Sequence, residues 1–72
     1  MMPPDKLVRM ANQIAAFFET QPGDDGSERV AEHLRSYWAP RMREQFLQIA
    51  EAGRRDLRPL AAAAAERLRA GA

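Results

Sequence analysis

Tyr37-Trp38-Ala39-Pro40-Arg41-Met42-Arg43 decides how this chain folds. Pro40 pushes the residue before it out of helical geometry, so a helix arriving from the N-terminal side must stop there. Pro40 also suits the first position of a new helix, where its missing N–H costs nothing. The stretch predicts two helices meeting at a tight corner, with the only tryptophan of the chain at the bend.

Outward from that corner the apolar spacing is helical on both sides. Val30, Ala31, Leu34, Tyr37 and Trp38 form the stripe of a helix over 28–38, with Ser27 as its cap and Glu28 in its first turn. Gln21-Pro22-Gly23-Asp24-Asp25-Gly26-Ser27 forbids continuation further back. The first helix is expected over 5–20, after a short tail of residues 1–4. Its stripe is Leu7, Met10, Ala11, Ile14 and Phe18, with Phe17 at one margin and Val8 and Ala15 at the other. That apolar arc is about 180° wide, more than the roughly 100° needed to face one core. Beyond the corner a third helix over 40–52 places Met42, Phe46, Ile49 and Ala50 inward, and Gly53 is its left-handed terminator. Leu47 points away from that stripe. After Arg54-Arg55-Asp56, a fourth helix over 57–70 carries Leu57, Leu60, Ala61, Ala64 and Leu68 on one side. Alanine favours helix but buries little area, so this helix is expected to dock weakly.

The fold class that follows is all-α: one helical domain over 1–72, with three core helices and a weakly docked, alanine-rich fourth. The core is expected around Leu7, Ile14, Phe18, Val30, Leu34, Trp38, Met42, Phe46 and Ile49. At 72 residues such a chain buries only about 60% of its unfolded surface, and a lone core supplies about 3–5 kcal/mol. There are no cysteines, so disulfides, thiolate metal sites and protein-held iron–sulfur clusters are excluded. One histidine makes a structural zinc site improbable. A partner chain is the staple left. No stretch reads as a signal peptide or a membrane span, and the absence of cysteine favours the cytoplasm.

Formal charge is +1, unevenly spread: residues 1–34 carry three basic and six acidic side chains, residues 35–72 eight arginines and four acidic ones. Ten of the eleven basic residues are arginine, which suits bidentate contacts with carboxylates or phosphates and equally a GC-rich genome. A nucleic-acid-binding module using the Arg-rich second half is the alternative reading. The small net charge and the interruptions at Glu44 and Glu51 weaken it. His33 and Ser36 stand one turn apart, but a triad also needs an orienting carboxylate and a concave pocket, so no catalytic residue is assigned. Glu28 and Glu32 lack the matching motif of a diiron bundle, and no metal or cofactor site is assigned to the chain. Trp, Tyr and Arg dominate binding energy at interfaces. Arg41 and Arg43 open a helix where the dipole disfavours cations, which suggests carboxylates on another protein as their counterparts.

Met10-Ala11-Asn12-Gln13-Ile14-Ala15, Phe17-Phe18, Val30-Ala31, His33-Leu34 and the quoted Tyr37–Arg43 stretch together resemble the delta subunit of soluble NAD-dependent formate dehydrogenases, over roughly residues 5–47. The resemblance implies a small bacterial accessory subunit that holds no cofactor itself. The enzymes it accompanies carry a molybdenum or tungsten pterin, iron–sulfur clusters and FMN on larger subunits, with NAD as substrate. The implied role is assembly, cofactor insertion or stability of the catalytic (alpha) subunit and, through it, contact with the beta and gamma subunits. Read together with the surplus apolar surface, the expected partner-binding residues are Asn12, Gln13, Phe17, His33, Trp38, Pro40, Arg41 and Arg43. Neither a membrane nor a nucleic acid is expected as a partner. Self-association into a homodimer when isolated is a third reading.

Overall fold

Three of the four helices described by the computed structural model, which covers residues 2–71, begin on a proline. The helices are α1 (Pro4–Glu19), α2 (Gly26–Tyr37), α3 (Pro40–Glu51) and α4 (Pro59–Ala70). The residues before those prolines, Pro3, Ala39 and Arg58, are extended, with ψ of 138°, 151° and 148°. Proline thus ends one direction of chain and starts the next with φ already set. Between α2 and α3 only Trp38 and Ala39 remain, both extended. After α3, Gly53 takes φ +80°, a left-handed value that costs glycine little.

Two boundaries differ from the sequence reading by two residues, and the others by one or none. The second helix starts at Gly26 rather than Glu28, and Ser27 is not its cap: the Ser27 hydroxyl accepts a hydrogen bond from Arg67 Nε at 2.7 Å. A Cβ on Gly26 would lie 3.1 Å from the δ carbons of Leu60. The bare glycine lets the first turn of α2 press against α4, and the helix runs back that far. The fourth helix starts at Pro59 rather than residue 57, because Arg58, as the residue before a proline, is extended.

The core is centred on Leu7, Val30, Leu34 and Phe46, the largest fully enclosed side chains. Trp38, 6% exposed, stands edge-on to Phe46 with ring centroids 5.7 Å apart. Ile14, Phe18 and Met42, expected inside, are half-buried at its margin. Leu7, Val8, Ala11 and Ala15 are the buried face of α1, so the helix is turned by roughly 50° from the expected stripe at 100° per residue. The cause is α4. It fills the Val8/Ala15 side of α1 and presents Ala61, Ala64 and Ala65, all fully enclosed, with Leu68 almost so.

The expectation of a weakly docked fourth helix is therefore not supported. Gly26 meets Leu60 near the start of both helices, and Arg35 approaches Gly71 near their ends, so α2 and α4 run side by side in one direction. Small side chains let two helix axes come close, and backbone contact replaces the side-chain area that alanine lacks.

The linker between α3 and α4 is tied to α1 by polar side chains. Asn12 Nδ2 donates to the Asp56 carbonyl at 2.8 Å, and Asn12 Oδ1 accepts from the Arg58 N–H at 2.9 Å. Arg58 forks onto Glu19 at 2.8 and 2.6 Å, and Arg54 bridges Asp56 and Asp5. Asn12→Ala removes both amide bonds to the linker and should lower stability by about 1–2 kcal/mol. Urea denaturation followed by Trp38 emission would read this as a lower midpoint at unchanged slope. An unchanged midpoint would mean that Asn12 is not a tether.

Candidate docking surface

Phe17 is 59% exposed and Tyr37 75% exposed, the two large apolar side chains left facing solvent among the described residues. Both follow from the same geometry. The turn of α1 toward Val8 and Ala15 carries Phe17 outward. The corner at Trp38 sends the tryptophan inward and leaves Tyr37, one residue earlier, on the outside.

The two are ends of one chain of rings. Phe17 meets Phe18 edge-on at 5.1 Å between centroids, Phe18 meets His33 at 6.2 Å, and His33 meets Tyr37 at 4.7 Å. Ile14, Gln13, Phe17, Phe18 and His33 line a shallow, mostly apolar depression between α1 and α2. An exposed aromatic ridge of this kind suits a surface that another protein covers.

The structure divides the expected partner-binding residues into two groups. Gln13, Phe17, Pro40 and Arg41 are exposed and His33 is half-buried in the ring chain. Asn12, Trp38 and Arg43 are committed inside the chain. Asn12 holds the α3–α4 linker, and Trp38 belongs to the core. Arg43 Nη1 donates to the carbonyls of Arg35 and Trp38, both at 2.9 Å. The tight corner explains this. It brings the start of α3 beside the end of α2, whose unpaired carbonyls and negative dipole end favour a cation. The cation that looked misplaced on its own helix is thus well placed on its neighbour. In the sequence reading Tyr37 stands in the α2 stripe and, beside Trp38, is a residue of interface type, but it is not counted among the partner-binding residues. Its place four residues after His33 sets the two rings beside each other on one side of the helix.

The arginines of the second half are mostly engaged within the chain. Arg54, Arg58 and Arg69 each pair with carboxylates, Arg43 holds carbonyls, and Arg67 holds Ser27. A surface so neutralised offers little to a polyanion, whose binding depends on free cations meeting phosphates.

The same pairs set an acid limit on stability. Side-chain hydrogen bonds from Arg58, Arg29 and Arg54 hold Glu19, Asp25 and Asp56 below the usual carboxylate range. A carboxylate with a lower pKa folded than unfolded adds stability above the unfolded value, and that contribution is lost as pH falls through the folded one. Thermal stability should therefore be flat near neutrality and fall below about pH 4. These groups are solvent-exposed, so high salt should shrink the fall. A pH series of melting curves at low and high salt checks both.

Among the described residues no group of three or more His, Asp or Glu could hold a metal ion, and no helix is long and apolar enough to cross a membrane. His33 and Ser36 make no hydrogen bond with each other; His33 is instead packed between the rings of Phe18 and Tyr37. The distinctive surface feature of this small helical module is its uncovered aromatic ridge. The family NADH-dependent formate dehydrogenase delta subunit FdsD matches residues 6–65, and the chain belongs to that family. The match runs through Ala65, so it takes in the first half of α4 as well as the 5–47 span of the resemblance. No curated protein and no solved structure matches the chain.

Proposed function

We propose that the chain is a non-catalytic accessory subunit in the bacterial cytoplasm that docks through its aromatic ridge onto the catalytic (alpha) subunit of an NAD-dependent formate dehydrogenase. The observation that carries this is the exposure of Phe17 and Tyr37 at the two ends of a continuous ring chain in a member of the delta-subunit family. Phe17 and Tyr37 supply the apolar anchors, Gln13 and His33 the polar contacts between them, and Pro40 and Arg41 the edge at the corner.

Binding one conformation of a large subunit stabilises it by mass action. The favoured conformation is one that accepts or retains the pterin cofactor, which links docking to assembly, cofactor insertion and stability. The beta and gamma subunits, with their flavin and iron–sulfur groups, are reached only through the alpha subunit.

Coexpression with the catalytic subunit and pull-down tests the reading. The wild-type chain should co-purify at moderate salt. Phe17→Asp should weaken retention by about 10–100-fold, as expected for loss of a buried aromatic anchor. Because Phe17 is exposed in the free chain, its own helicity should be unchanged. A wild-type chain that does not co-purify would overturn the proposal. Formate oxidation by the complex assembled with and without this chain then measures what docking contributes.

A further inference from the structure

Lys6, Met10, Gln13 and Phe17 recur at i, i+4, i+7 and i+11, so they share one side of α1. From Lys6 to Phe17 that side is about 16 Å long at 1.5 Å per residue. Phe17 marks its apolar end, next to Phe18 and His33. The other end carries Lys6, and Arg41 faces the start of the same helix: Arg41 lines one cleft with Met2, Met42, Glu44 and Gln45, and Gln45 donates to the Met2 carbonyl just before α1 begins.

Lys6 and Arg41 have no ion-pair partner among the described residues, whereas Arg29, Arg35, Arg54, Arg58 and Arg69 all do. Asp5, beside Lys6, is taken by Arg54. Glu44 lines the same cleft as Arg41 and makes no pair with it. Seven of the eleven basic side chains are held within the chain. Of the other four, Arg9 faces the α3–α4 linker and Arg55 lies in it, while Lys6 and Arg41 stand at the opposite end of α1 from Phe17.

The geometry points to an amphipathic helix as the partner segment, with an apolar side chain over Phe17 and carboxylates about three turns away, at Lys6 and Arg41. This deepens the docking reading above and rests on it. A shallow groove between two helices is a surface on which a third helix lies with its apolar side down. Rim charges of this kind steer encounter and fix the direction of the incoming helix more than they add affinity. A second copy of this chain is a poorer occupant, because the carboxylates it would bring to that face are few: Glu44 of the Arg41 cleft, and Asp5, which Arg54 already holds.

Lys6 is the only lysine in the sequence, which gives a direct test. A zero-length carbodiimide applied to the assembled formate dehydrogenase complex joins a lysine amine only to a carboxylate it touches. The expected product is an amide between Lys6 and an Asp or Glu of the larger subunit, within about three helical turns of an apolar residue that cross-links to position 17 when that carries a photoreactive phenylalanine. Lys6→Gln should abolish it. Lys6→Glu with Arg41→Glu should slow association at low salt by about tenfold or more, and the gap to wild type should close as salt rises. Circular dichroism confirms that both exposed substitutions leave the fold intact. If Phe17→Asp breaks the complex while Lys6 forms no link to the partner, or the charge-reversed chain associates at the wild-type rate, the acidic helix is wrong and the docking reading stands. If the Phe17 variant also binds normally, both fall.

Discussion

Phe46→Ala should unfold the isolated chain at room temperature. Phe46 is fully enclosed and stacks its edge on Trp38, 5.7 Å away. Truncating an enclosed phenylalanine costs about 3–5 kcal/mol, from lost transfer energy and the cavity left behind. A single core of this size supplies about 3–5 kcal/mol in total, so one substitution is comparable to the whole. Far-ultraviolet circular dichroism should show most of the helix signal lost, and Trp38 emission should shift to that of solvent-exposed indole. Phe17→Ala gives the contrast, since an exposed phenylalanine changes stability by within about 0.5 kcal/mol. A Phe46→Ala chain that melts like wild type would mean that the core does not depend on the Trp38–Phe46 pair. If the docking reading holds, the larger subunit should partly restore the variant, because binding to the folded state adds its own free energy.

The two phenylalanines also mark what the sequence could and could not disclose. The corner at Trp38–Pro40 was legible because proline acts through local sterics, which need no knowledge of the rest of the fold. Phe46, Val30 and Leu34 were legible because each lies mid-stripe on a helix with one clear apolar face. The direction in which α1 faces was not. Its apolar arc is wide enough to admit several orientations, and the choice among them is made by α4, which sits on the Val8/Ala15 side. Phe17 was therefore placed at a margin by the sequence and set outside by the packing. The contacts of Arg43 and Asn12 were not legible for a related reason. Each satisfies backbone groups on an element distant in sequence or across a turn, and a polar side chain does not announce which carbonyl it will meet. The aromatic ridge needed both outcomes, the turn of α1 and the inward swing of Trp38, before Tyr37 could be seen as part of it.

The misjudged fourth helix yields the sharpest remaining test. If α4 were held loosely for want of apolar area, then enlarging its buried face would strengthen it: Ala61→Leu with Ala64→Leu adds six methyl or methylene-sized carbons, each worth about 0.8 kcal/mol when buried. The structure requires the opposite sign. Ala61 and Ala64 are fully enclosed, and a Cβ at neighbouring Gly26 would already crowd Leu60 at 3.1 Å. Extra carbons there must push the axes of α2 and α4 apart, which forfeits contacts along the whole pair. Overpacking a filled site costs about 1–3 kcal/mol, so two adjacent ones should cost about 3 kcal/mol or more. Ala62→Leu, on the exposed side of the same helix, should be nearly neutral. Urea denaturation of the three chains decides the matter, and a double variant more stable than wild type would return α4 to the status of a loose appendage. If the double variant is destabilised as expected, the alanine run is an adaptation to close approach. The rotation that exposes Phe17 then depends on alanine being small, so the docking ridge and the alanine face are two consequences of one packing choice.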